Sequence, residues 1–269
     1  MRLVGKQVAF LIEGDEKMLG AYPLRRYTIK DFLLIMISSS LVLQLVVTGL
    51  SIRFIDFYPE EFILSFQSAE LMLEQLIYYS GAIGTILSLP LTLLVIKKRK
   101  LPIFNRKQLT KEESFLIRGM TKKDWKFLVR YIPSSFLIYS LGNILIVTLF
   151  GEGEAINQIA VESMFSRIPI GLIFIMTVIV APIVEEVLFR GMVLFSNGEL
   201  ESSWFRVILS SLLFGLVHRP TNIQSFYSYV GMGFLFSYAA KKTDSLESSI
   251  VYHFLNNLMA FLVILFYSK

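Results

Sequence analysis

The chain has 269 residues, 54% of them hydrophobic and 17% charged, with a mean hydropathy of +0.62 and a formal net charge of +5. So small a charged fraction excludes an ordinary soluble domain and points to a chain whose solvent is largely lipid. The lack of cysteine excludes disulfides, thiolate metal sites and a cysteine nucleophile. The basic surplus lies beside apolar stretches, which reads as membrane orientation and leaves no nucleic-acid surface.

Residues 1–31 are studded with charges, among them Arg2, Lys6, Glu13, Lys17, Arg25 and Lys30. No long apolar core precedes Asp31, so a cleaved leader is not expected and the first span stays in the mature chain. A bilayer core about 30 Å thick needs roughly 20 apolar residues. Phe32–Ile52 and Leu76–Ile96 meet that test without an internal charge. Phe127–Phe150 is a third span, with Pro133 read as a first-turn proline, a position that tolerates it. Ile168–Phe195 is the fourth and alone carries several internal charges. Trp204–Val217 and Phe226–Ala240 are shorter and separated by Arg219-Pro220-Thr221-Asn222, and Ser248–Tyr267 closes the chain. The expected fold is an all-α, polytopic membrane bundle of about seven helices. Residues 1–167 form an N-terminal part with three membrane helices, and 168–269 form a core of four.

Lysine and arginine crowd Lys97–Lys126, whereas Arg53–Gln75 and the Gly151–Arg167 loop are acidic. This asymmetry predicts a cytoplasmic N-terminus and an external C-terminus. Gln108–Trp125 is expected to be an interfacial helix or loop.

The chemistry concentrates in three places. The fourth span contains Glu185-Glu186-Val187-Leu188-Phe189-Arg190. Two carboxylates within an apolar helix cost several kcal/mol each unless paired or wet. Glu186 and Arg190, four apart with the acid first, suit a charge pair on one face. Glu185 lies about 100° around the helix and is left free of that pair, available for proton transfer. The plainer alternative is an interhelical salt bridge that only fixes packing. Next comes Phe214-Gly215-Leu216-Val217-His218, with Phe214 and His218 on one face and Gly215 admitting a close neighbour. Last is His253-Phe254-Leu255-Asn256-Asn257, with His253 and Asn257 four apart. These are the only two histidines in the chain.

Such a set can hydrolyse an amide: a carboxylate and an imidazole hold water and take its proton, while an imidazole and a carboxamide donate to the oxyanion. Glu185, His218 and His253 equally offer the nitrogen and oxygen ligands of a catalytic zinc. Spacing alone does not choose. One geometric obstacle stands out. In a straight seven-span arrangement His253 lies shallow and His218 lies at the far end of a short helix. They meet only if the fifth and sixth helices are short, tilted or re-entrant.

Together, Glu-Glu-x-x-x-Arg, Phe-x-x-x-His and His-x-x-x-Asn, in this order over Ile168–Tyr267, resemble the CAAX protease and bacteriocin-processing (Abi) family, which includes the Rce-type prenyl endopeptidases. The resemblance implies an intramembrane endopeptidase in which Glu185 and His218 activate water and His253 and Asn257 stabilise the oxyanion. Glu186, Arg190 and Phe214 support the site. It favours a metal-free glutamate mechanism, with a divalent metal such as zinc on Glu185, His218 and His253 as the other form. The implied partners are the lipid bilayer, a membrane-associated peptide or protein substrate and a membrane partner protein. The substrate is a peptide precursor such as a bacteriocin, a pheromone or a CAAX-like C-terminus. The rival reading is a non-catalytic scaffold, regulator or bacteriocin-immunity protein of the same fold. A proton-coupled transporter is disfavoured by the absence of internal repeats. The motifs of site-2, rhomboid and presenilin proteases are absent from the sequence.

Overall fold

A computed structural model describes residues 28–37, 44–49, 53, 69–99, 120–153, 155–195 and 203–267. Most of the expected acidic stretch Arg53–Gln75, the interior of the basic segment and much of Phe32–Ile52 lie outside them.

The described residues form helices without strands, an all-α membrane bundle. Helix α1 (Ile29–Met36) opens on a reciprocal cap between Thr28 and Asp31. Asp31 also takes Arg99 Nη2 at 2.7 Å, which ties α1 to the end of α2 (Ala69–Arg99). Residues 44–49 are helical, and Gln44 donates to the Thr85 hydroxyl of α2 at 3.0 Å.

Helix α3 runs Lys122–Phe150. It starts earlier than its apolar stretch because Thr121 and Asp124 cap each other. Pro133 therefore sits well inside the helix, not in its first turn. Ser134 and Ser135 beside it turn their hydroxyls onto the carbonyls of Arg130 and Tyr131. The expected Gly151–Arg167 loop holds a nine-residue helix, α4 (Ile156–Met164).

Helix α5 (Ile170–Leu194) is the centre of the bundle. An α-helical segment, Ala181–Glu186, lies between two stretches in the wider π register, Phe174–Val180 and Val187–Leu194. Such wide turns are rare and concentrate at functional sites. Around α5 stand α6 (Trp204–Val217), α7 (Ile223–Thr243) and α8 (Leu246–Tyr267). Val184, Val187, Leu188 and Phe189 pack on Phe214, Phe236 and Tyr252. A second cluster joins Ile173, Met176 and Val178 to Ala82 of α2 and Phe261 of α8.

Four described helices are long and apolar enough to cross a membrane: α2, α3, α5 and α8. Helix α6 matches its expected bounds and is shorter, about 21 Å at 1.5 Å per residue. It ends at His218, where Arg219 turns the chain with φ 53° and Asn222 caps α7. Helices α6 and α7 lie close because each presents a glycine to the other. A Cβ on Gly215 would strike Val230, and one on Gly233 would lie 2.9 Å from the Ser211 carbonyl.

Candidate active site

Glu186 and Arg190 occupy the dry side of α5, with neither side chain reaching solvent. Each nitrogen of the guanidinium has an acceptor. Nη1 donates to Glu186 Oε1 at 2.8 Å, Nη2 to the Gly233 carbonyl at 2.7 Å and Nε to Ser237 at 3.1 Å. Phe214 and Phe236 lie against it, 4.6 and 5.5 Å from ring centroid to guanidinium carbon. A buried cation persists only with a counter-charge and hydrogen-bond acceptors of this kind.

The same Glu186 oxygen accepts from His253 Nδ1 at 2.8 Å. That bond assigns the Nδ1 proton and leaves Nε2 to face the cavity. Phe236 stacks on the ring at 4.5 Å and 21°. His218 is held alike, with Nδ1 2.7 Å from the Phe214 carbonyl one turn earlier. A carbonyl only accepts, so this Nδ1 also carries the proton and Nε2 again points inward. The His218 ring lies between Phe214 and Tyr229, at 4.6 and 4.5 Å.

Both Nε2 atoms converge on Glu185. Its Oε2 lies 3.8 Å from His218 and 3.9 Å from His253, and it is buried without a protein hydrogen bond. These separations are too long for direct hydrogen bonds and short enough for one water to touch both ends. With both imidazoles neutral, three lone-pair acceptors surround one point, an arrangement that calls for a proton donor or a cation. The separations exceed the edge of a tetrahedral zinc site, roughly 3.3 Å for bonds of about 2.0–2.1 Å. Among the described residues no group of three or more His, Cys, Asp or Glu is arranged to hold a metal ion.

A cavity of about 410 Å³ holds Glu185, His218, His253 and Asn257 together, with Phe214 in its wall. Asn257 donates to the Thr177 carbonyl at 2.9 Å, inside the first wide-turn stretch of α5. The expected set is therefore in one place, and the obstacle of depth dissolves. Helix α6 stops short, which sets its last residue level with the middle of α5.

Residues 167–259 match the family described as type II CAAX prenyl endopeptidase Rce1-like. This part of the chain is similar to Rce1-like domains. It is similar to a Bacillus subtilis protein described as "Putative membrane peptidase YdiL", 31% identical over 110 residues, 40% of this chain and 43% of that one. It is also similar to UPF0177 protein YbdI of Lactococcus lactis, 33% identical over 108 residues, 40% of this chain and 55% of the relative. The match thus spans about half the length of these curated relatives. No solved structure is significantly similar.

Several residues of the candidate site escape a motif reading. Tyr229, Gly233 and Ser237 come from α7 and meet His218 and Arg190. Their signal is in the sequence all the same. The three stand four apart on one face of a helix, with Phe236 beside the last.

Proposed function

We propose that the protein is a membrane endopeptidase in which Glu185 and His218 activate a water molecule. The observation that carries this reading is the convergence of two imidazole Nε2 atoms on Glu185 Oε2, at 3.8 and 3.9 Å, inside one cavity. A bound water donates one hydrogen to Glu185 and the other to His218. As its oxygen attacks the substrate carbonyl carbon, the carboxylate takes a proton. The carbonyl oxygen becomes an oxyanion, met by the second Nδ2 hydrogen of Asn257 and by Nε2–H of His253, which acts in this step as an imidazolium with its Nδ1–H on Glu186. The proton then passes to the leaving nitrogen as the C–N bond breaks. Glu186 supports this step from behind by fixing the His253 ring, as a second carboxylate orients an imidazole in other hydrolases.

The metal-free form is preferred because the separations of 3.8 and 3.9 Å exceed the roughly 3.3 Å edge of a tetrahedral zinc site and suit a bridging water. The substrate is a peptide precursor, and bacteriocin, pheromone and CAAX-like chains are the candidates. The chain crosses the membrane several times with its N-terminus on the cytoplasmic side. The deciding experiment incubates wild type and Glu185→Gln protein, in detergent, with quenched membrane peptides, with and without a chelator. Cleavage by wild type alone, unaffected by the chelator, is expected. Cleavage by both proteins removes the glutamate mechanism, and cleavage abolished by the chelator replaces it with a metal one.

A further inference from the structure

A second groove, about 660 Å³, adjoins the catalytic cavity and has Gln158, Met232, Asn256, Ala260 and Ile264 in common with it. Its outer walls are Phe136 and Tyr139 of α3 and Met259 and Val263 of α8. These walls border lipid-facing surface. Met259 and Val263 are half exposed, and only 6% of the most apolar window of α3 is buried. A continuous path therefore leads from the bilayer, between α3 and α8, to Glu185.

The neck of that path, the wall shared by the two cavities, sets two carboxamides among Met232, Ala260 and Ile264. Asn256 gives Nδ2 to Asn257 at 3.2 Å and keeps its carbonyl oxygen, and Gln158 gives Nε2 to Glu162 at 2.7 Å and keeps its own. Largely apolar walls, with two carboxamides at the neck and the Glu162 carboxylate beside Gln158, suit an occupant with apolar side chains and a hydrogen-bonding backbone. A hydrocarbon chain offers those carboxamides nothing; an extended peptide offers N–H and C=O groups at every residue.

We propose that an apolar segment of a membrane-resident peptide enters laterally between α3 and α8 and is held at the neck by Gln158 and Asn256. This rests on the endopeptidase reading and names its substrate class and route. Asn256 and Gln158 are then binding residues that set specificity, distinct from Asn257.

The absence of cysteine makes the test clean. In liposomes, Met259→Cys protein is alkylated with a bulky maleimide and assayed on a bilayer-embedded apolar peptide. A loss of roughly tenfold or more in kcat/KM is expected. Leu141→Cys, exposed on α3 about 200° around the helix from Tyr139, is expected to lose nothing when labelled. Turnover unchanged after complete labelling of Met259→Cys overturns the route. The pair Gln158→Ala and Asn256→Ala is expected to raise KM several-fold with kcat kept, and an unchanged KM removes these two residues from the proposal. A photoreactive form of the same peptide is expected to cross-link Glu185→Gln protein in the groove. A photoreactive fatty acid that cross-links there and is not displaced by the peptide assigns the groove to lipid and overturns the proposal. Peptide cross-linking in the groove by a wild type that cleaves nothing would keep the docking surface and remove the hydrolysis.

Discussion

Glu185 and Glu186 are neighbours in sequence and live in different environments. On the Glu186 side of α5, Oε1 and the three guanidinium nitrogens of Arg190 have partners at 2.7 to 3.1 Å, and no solvent enters. On the Glu185 side the carboxylate is about a quarter exposed, and its nearest partners stand at 3.8 and 3.9 Å. The first arrangement resists change and the second invites a third party. One helix thus separates an ion-paired carboxylate from an open one by a rotation of about 100°.

The sharpest way to break the comparison is at Glu185. Glu185→Gln is expected to lower turnover on the order of 10,000-fold while leaving thermal unfolding in detergent nearly unchanged. An equal fall in unfolding temperature would make both carboxylates structural. Glu186→Ala should do the reverse in kind. It leaves Arg190 buried without its counter-charge, at a cost of about 3–5 kcal/mol, read as a loss of folded protein in denaturant titration. A Glu186→Ala protein of normal stability with selective loss of turnover would move Glu186 into the reacting set. Tyr229 sharpens the contrast on the open side, because its ring stacks on His218, the proposed partner of Glu185 in activating water. Tyr229→Phe should keep kcat within about twofold, and Tyr229→Leu should lower it by a factor of roughly 2–10, the worth of an aromatic stack. Equal losses in the two variants would assign a role to the hydroxyl instead.

The smallest effect lies away from the site, at Asp31. Burial pushes its carboxyl up, but hydrogen bonds from Thr28 and Arg99 outweigh it and hold the group below the usual carboxylate range. The stability it contributes is complete above the unfolded value of about 3.9 and is lost as pH falls through the lower folded value. Arg99 is one third exposed, so the amount is no more than about 1 kcal/mol. Asp31→Asn should flatten that part of the stability profile below about pH 4. A profile identical to wild type would show that the pair is fully screened.

Much of this was legible in the residues themselves. The four-residue spacings placed Phe214 with His218 and His253 with Asn257, and the bounds of α6 followed from its apolar run. Hydropathy reports length and not tilt or depth, so the meeting of His218 with His253 could not be read from it. The early start of α3 was written in Thr121 and Asp124, a cap that an apolar count overlooks. Helix α4 was read as a loop because nine residues between two spans carry too little periodicity. The α7 stripe of Tyr229, Gly233 and Ser237 needed no ligand-like residue type, and so drew no attention.

The wide turns of α5 carry a consequence for how such a chain tolerates insertions and deletions. A π stretch holds one more residue than an α-helix needs for the same phase at its ends. In an ordinary membrane helix, losing one residue swings everything beyond it by about 100°. Within Val187–Leu194 the spare residue absorbs the loss, the far end keeps its facing, and only the local reach of Arg190 changes. Length variation among related chains is therefore expected to gather in that stretch and to be excluded from Ala181–Glu186, where no residue is spare.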